Sequence, residues 1–145
     1  MSQLPTGLVF VYGTLRRAAG HAAHRFLAEH AEFVGNGFVQ GRLHDAGEYP
    51  ALRLDSGIGR VAGEVFHLFV PPAALARLDA FEGYNAENPS AGEFRRESAD
   101  IVLNDGRTVR AWVYQYQKSV FGLPMIPSGD YAQFLRAKTA APATV

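Results

Sequence analysis

Val9-Phe10-Val11-Tyr12-Gly13-Thr14-Leu15-Arg16-Arg17 is the stretch on which the reading of this chain turns. Leu8 to Tyr12 is an uninterrupted apolar, β-branched and aromatic run, the pattern of a buried strand. It stops at a glycine, followed by a small hydroxyl residue and two arginines. A buried strand that ends in Gly-Thr leaves backbone N–H groups free of any sheet partner, and such groups form concavities for anions or oxyanions. Glycine at position 13 would admit a ligand close to the backbone and would tolerate positive φ. An ordinary turn after a strand has the same local signature, so the remainder of the chain must discriminate.

Outward from this stretch, Arg16 to Gly20 reads as a loop and His21 to His30 as a short alanine-rich helix. His21 and His24 stand three apart, but no acidic ligand lies at a matching spacing and no His-Glu-x-x-His arrangement is present, so both read as structural. Phe33 to Leu43 is strand-like and punctuated by Gly35, Gly37 and Gly41, which indicates bends or bulges in a curled sheet. Their spacing is not that of a dinucleotide fingerprint. Asp45 to Pro50 is a turn, Ala51 to Leu54 a short strand, and Arg60 to Val70 a strong one. Pro71-Pro72 ends that strand and opens a helix carrying Ala74, Leu75, Leu78 and Phe81 on one face, stopped by Gly83. Tyr84 to Glu93 is a loop. Phe94 to Leu103 and Thr108 to Gln117 are strands joined through Asn104-Asp105-Gly106, a hairpin signal. After an irregular stretch, Tyr131 to Lys138 suits a final helix, with residues 136–145 expected to fray.

These elements predict a single α+β domain over residues 1–145, a mixed, curled, barrel-like sheet with short packed helices. The length suffices for a sizeable core, and 48% hydrophobic against 19% charged residues is ordinary for a globular chain. Fourteen basic and 14 acidic residues balance, with no basic stripe beyond Arg16-Arg17 and Arg95-Arg96, so no nucleic-acid partner is expected. With no cysteine, disulfides, thiolate nucleophiles and cysteine-ligated zinc are excluded. No apolar run approaches the roughly 18 residues of a membrane span, and no signal peptide is evident, so a cytoplasmic protein is expected. No Gly-x-Ser-x-Gly elbow supports a serine hydrolase.

Glu82 is the acidic residue that needs explaining. It lies at the C-terminal end of an apolar-faced helix between Phe81 and Gly83. The negative end of the helix dipole and aromatic neighbours would both raise its pKa from about 4.3 towards the range useful in proton transfer. On position alone, a solvated glutamate in a loop is an equal alternative.

The motif series decides between them. Tyr12-Gly13-Thr14-Leu15-Arg16, Tyr49-Pro50-Ala51-Leu52, Gly63-Glu64-Val65-Phe66, Leu78-Asp79-Ala80-Phe81-Glu82-Gly83-Tyr84, Ala111-Trp112-Val113-Tyr114 and Ser128-Gly129-Asp130-Tyr131 occur in one order. That order resembles the gamma-glutamyl cyclotransferase-like family, in its small branch similar to gamma-glutamylamine cyclotransferase, over residues 8 to about 131. The resemblance implies a curled mixed sheet, a loop at Gly13, Thr14 and Leu15 that binds a glutamyl group through backbone N–H groups, and Glu82 as general acid/base. It further implies a small γ-glutamyl substrate, release of 5-oxoproline, and no cofactor or metal. Tyr12, Tyr84 and Tyr114 are candidate substrate contacts. Where the family often carries a tyrosine, this chain has Phe94, so a hydroxyl is missing that Tyr84 or Tyr114 would replace. The loop from Tyr84 to Glu93 is expected to border the amine side of the pocket. Asp79 and Glu64 are the alternative carboxylates for proton transfer. A non-catalytic binding module of the same fold is the competing reading, and Glu82 argues against it.

Overall fold

The computed structural model describes residues 7–140. Strands β1 (Leu8–Val11), β2 (Ala31–Asp45), β3 (Pro50–Leu54), β4 (Arg60–Leu68), β5 (Phe94–Leu103) and β6 (Thr108–Tyr116) are joined by helices α1 (His24–His30), α2 (Pro71–Glu82) and α3 (Tyr131–Ala140). One 3-10 turn, Arg17–Ala19, follows β1. The sheet order is β3-β2-β4-β1-β6-β5, and β5 returns to pair with β2, which closes five strands into a barrel with β3 appended to the far end of β2. The sheet is mixed because β1 runs parallel to β6 and antiparallel to β4.

The long strand β2 makes this closure possible. Its first part pairs with β4, its middle meets β5 at Gly37, Phe38 and Val39, and its last five residues form the hairpin with β3. A register shift between Phe33 and Gly35 bends it early on. At Gly37 a Cβ would stand 2.7 Å from the Val102 carbonyl oxygen, so only glycine lets β5 approach there.

Alternation along β1 assigns its residues to two cores. Val9 and Val11 join Leu27, Phe66, Leu68, Ala74 and Leu78 beneath α1 and α2. Phe10 and Tyr12 join Val39, Val61, Val65, Ile101, Ala111 and Val113, together with Tyr131 of α3. Both faces of β1 are covered, which is why its sequence is an unbroken apolar run rather than an alternating one.

Several boundaries differ from the expected ones. Helix α1 begins at His24, because the His21 ring nitrogen accepts the Ala23 N–H and holds residues 21–23 as a turn. Strand β4 stops at Leu68, leaving Phe69 and Val70 exposed before the two prolines. Helix α3 runs to Ala140, two residues beyond the Lys138 expected as its end, and the rest of the stretch expected to fray, 141–145, lies outside the described residues. No helix among the described residues is long and apolar enough to cross a membrane.

Candidate functional site

The end of β1, the end of α2 and the loops before β3 and β5 surround a cavity of about 780 Å³. Glu82 enters it from the last residue of α2. Gly83 takes the left-handed conformation (φ 70°), and the N–H groups of Gly83 and Tyr84 fold back on the carbonyls of Ala80 and Asp79. This closure ends the helix at Glu82. Ala74 and Leu78 anchor the helix in the core. Phe81, expected on that same packed face, is instead 56% exposed and lines the cavity.

Among the described residues the Glu82 carboxylate accepts no hydrogen bond and meets no cation. Surrounding protein strips it of water on most sides, and this burial pushes its pKa up to about 7. Its charge is felt by the hydroxyls of Tyr12 and Tyr114, each raised first by burial and further by Glu82. The Tyr12 hydroxyl donates to the Tyr114 carbonyl oxygen at 2.5 Å, tying the end of β1 to β6.

Gly13, Thr14 and Leu15 form the facing wall. The turn is closed by the Arg16 N–H donating to the Gly13 carbonyl at 3.1 Å, while the N–H groups of residues 13–15 donate to no group among the described residues. The His24 ring nitrogen meets the Leu15 carbonyl at 2.9 Å and pins the turn to α1. Gly13 does not use the positive φ that a glycine tolerates. Its glycine is required by packing: a Cβ there would stand 2.9 Å from the Pro50 side chain. A side chain at 13 would therefore press on the start of β3 as well as on a ligand.

Of the residues singled out in the sequence, Tyr12, Gly13, Thr14, Leu15, Glu82 and Tyr114 line one cavity. Tyr84 does not. It packs against the core beneath α2, with the Arg96 guanidinium 5.9 Å from its ring. The Tyr114 hydroxyl is engaged too, donating to Asp79 at 2.6 Å. Tyr49, not singled out for the site in the sequence, also lines the cavity beside Phe94. The Tyr49 ring meets Phe94 edge-on at 5.7 Å, and its hydroxyl donates to Glu93 at 2.5 Å, which pushes its pKa up to about 12. Tyr49 and Glu93 stand 44 residues apart, so nothing local in the sequence pairs them. Ala91, Gly92 and Glu93 place the end of the loop before β5 on the cavity wall, where Gln117 holds it through the carbonyls of Pro89 and Gly92.

The two alternative carboxylates are both engaged elsewhere. Asp79 receives Arg96 Nε at 2.9 Å and Nη2 at 3.2 Å in addition to Tyr114, and Arg96 is itself stacked over Trp112. Glu64 accepts the backbone N–H groups of Arg17 and Ala18. Among the described residues no three His, Asp or Glu side chains converge as a metal site would require.

The arrangement is an unpaired carboxylate of raised pKa and three residues whose backbone N–H groups are unclaimed among the described residues, all lining one cavity. That pairing can move a proton at one atom of a bound molecule while holding negative charge at another.

Comparison with known proteins matches this frame. Residues 9–133 fit the family described as "Gamma-glutamyl cyclotransferase, AIG2-like". The Gamma-glutamylcyclotransferase family protein YtfP of Escherichia coli is 32% identical over 124 residues, covering 85% of this chain and 94% of that one. The solution structure of YtfP superposes with a TM-score of 0.59 at 34% identity, covering 86% of this chain and 95% of that one. The crystal structure of an AIG2-like protein from Mus musculus does so with a TM-score of 0.68 at 27% identity, covering 88% of each chain. With the family description matching from the first strand into the last helix, the chain belongs to the gamma-glutamyl cyclotransferase, AIG2-like family.

Proposed function

We propose that this protein is an intramolecular cyclotransferase that releases 5-oxoproline and a free amine or amino acid from a γ-glutamyl amide, with Glu82 as general acid/base. The observation that carries this reading is the lone carboxylate of Glu82, its pKa pushed up to about 7 in a cavity also lined by Gly13, Thr14 and Leu15, whose N–H groups donate to no group among the described residues. The α-amine nitrogen and the γ-carbonyl carbon of a γ-glutamyl group are the two ends of a five-atom chain, so bonding between them closes a five-membered ring. Folding the substrate so that the two meet converts a difficult amide cleavage into a favourable ring closure.

Glu82, ionised, takes a proton from the α-ammonium. The freed amine attacks the γ-carbonyl carbon, forming the ring C–N bond. The tetrahedral intermediate collapses with cleavage of the original amide C–N bond as Glu82 returns that proton to the departing amine. The second proton, on the ring nitrogen, passes through the regenerated Glu82 carboxylate to the released amine or to water, leaving the neutral lactam. A group that titrates near neutral pH can serve in both directions. The N–H groups of Gly13, Thr14 and Leu15 would hold the substrate's negative oxygen, and the Tyr12 and Tyr114 rings would wall the glutamyl chain. The loop ending at Glu93 would face the leaving amine. No metal, cofactor or protein nucleophile is needed for these steps.

The test is incubation of the purified protein with a panel of γ-glutamyl amines and γ-glutamyl amino acids, with chromatography for 5-oxoproline. At least one member should yield 5-oxoproline and free amine in equal amounts. Binding without turnover across the whole panel would favour a binding module instead.

A further inference from the structure

Glu64 lies outside the cavity and nothing in the reaction uses it. It is nonetheless 1% exposed, and its β4 position pairs with Val11, the last residue of β1. A carboxylate enclosed in this way is a poor choice for stability, since an apolar residue of similar volume would serve the core at least as well. Its surroundings show what it holds. One oxygen accepts the Arg17 N–H at 2.7 Å and the other the Ala18 N–H at 3.1 Å. Arg16 Nε stands 3.6 Å away without a hydrogen bond of its own, while Arg16 Nη1 donates to Asp130 at 2.9 Å. The Arg17 guanidinium lies 3.5 Å above the Phe33 ring, 4.0 Å from the same carboxylate.

From these contacts we infer that Glu64 is a positioning residue that sets the shape of the anion-binding turn from behind. Resting on the function proposed above, this makes the cradle for the glutamyl group a product of a buried carboxylate as much as of Gly13. Two adjacent N–H groups that point the same way need two acceptor atoms side by side, which a carboxylate supplies and a neutral side chain does not. The N–H groups of Arg17 and Ala18 are drawn to Glu64 and that of Arg16 donates to Gly13, while those of Gly13, Thr14 and Leu15, residues that line the cavity, donate to no group among the described residues. Of the two arginines that follow Leu15, Arg16 is turned inward beside this carboxylate, whereas Arg17 stays half-exposed over the Phe33 ring.

The experiment is Glu64→Gln, followed by titration of the ¹⁵N-labelled protein with 5-oxoproline and by kinetics. A glutamine turns an N–H towards donors that now find one acceptor where there were two. Affinity for 5-oxoproline and the KM for substrate should each weaken at least tenfold. The pH midpoint of turnover, which belongs to Glu82, should stay where it is in the unmodified protein. In the unmodified protein the amides of residues 13–15 should move on titration, and those of Arg17 and Ala18 should exchange slowly with solvent. A folded Glu64→Gln variant that binds 5-oxoproline with unchanged affinity would overturn the inference. If that variant does not fold, Glu64→Asp, which keeps the charge beside Arg16 but withdraws it from the two N–H groups, carries the same comparison. If neither folds, fast exchange at Arg17 and Ala18 in the unmodified protein overturns it and slow exchange sustains it. Absence of 5-oxoproline binding or formation by the unmodified protein would remove the proposed function, and the exchange rates would still decide the role of Glu64.

Discussion

Glu82 and Glu64 are the same side chain in opposite surroundings. Glu64 is enclosed by β4 and the turn after β1, with backbone N–H groups on both oxygens and a guanidinium beside it. Glu82 stands at the end of α2 with no donor among the described residues, and burial drives its pKa towards neutrality. Desolvating a carboxylate without compensation opposes folding, so a fold that retains such a group has some use for it other than stability. A carboxylate that is saturated with donors holds backbone in place. One that is left wanting can accept a proton. Asp79 sits three residues before Glu82 and belongs with Glu64, because Arg96 and Tyr114 occupy it.

Turnover offers the hardest test of this contrast. Glu82→Gln preserves size and helix propensity but removes the proton acceptor, so the rate of 5-oxoproline release should fall by on the order of 10²-fold or more with substrate affinity largely kept. In the unmodified enzyme the rate should rise as pH rises through about 7, where Glu82 ionises, and the variant should lose that limb. Near-normal turnover in the Gln variant would break the contrast.

The next largest effect is expected at Asp79, and on stability rather than rate. Asp79→Asn strips Arg96 of its counter-charge at a site that is mostly covered, and should cost about 2 kcal/mol in denaturant unfolding with an unchanged slope. Turnover should drop less than tenfold with its pH midpoint in place. A stable Asp79→Asn protein without activity would instead make Asp79 the proton carrier.

A smaller effect, of opposite sign, sharpens the comparison from the side of Glu82. Its folded-state pKa lies above the ordinary value of 4.5, so its contribution to stability is fully present below about 4.5 and is lost as pH rises through about 7. Glu82→Gln is free of that loss. The variant should match the parent at acidic pH and exceed it at pH 8 by on the order of 1 kcal/mol, the full shift being discounted for the cavity's access to water. Melting curves at the two pH values check this, and equal curves at pH 8 would mean that Glu82 is better solvated than its surroundings indicate.

The amino-acid sequence alone determined which segments are strands, where α2 stops and which turn carries the N–H groups. These depend on nearest neighbours and on periodicity: the apolar run of β1, the Asp-Gly hairpin between β5 and β6, and glycine after Glu82. The same locality placed Glu82 at a helix end beside aromatic residues. Local reading did not reach the roles assigned by pairs distant in sequence. It put Phe81 in the core, where the face of α2 is only partly covered. It gave ligand approach and tolerance of positive φ as the reasons for Gly13, and could not see that Pro50 also leaves no room for a side chain there. It named Tyr84 beside Tyr114 for the cavity and passed over Tyr49, whose bond to Glu93 forms only once the loops before β3 and β5 meet. Sequence reading ranked Glu82 ahead of Asp79 and Glu64, but only the tertiary structure showed that the latter two are occupied by donors and Glu82 is not. All three have similar intrinsic acidity, and what distinguishes them is the number of donors that barrel closure brings to each.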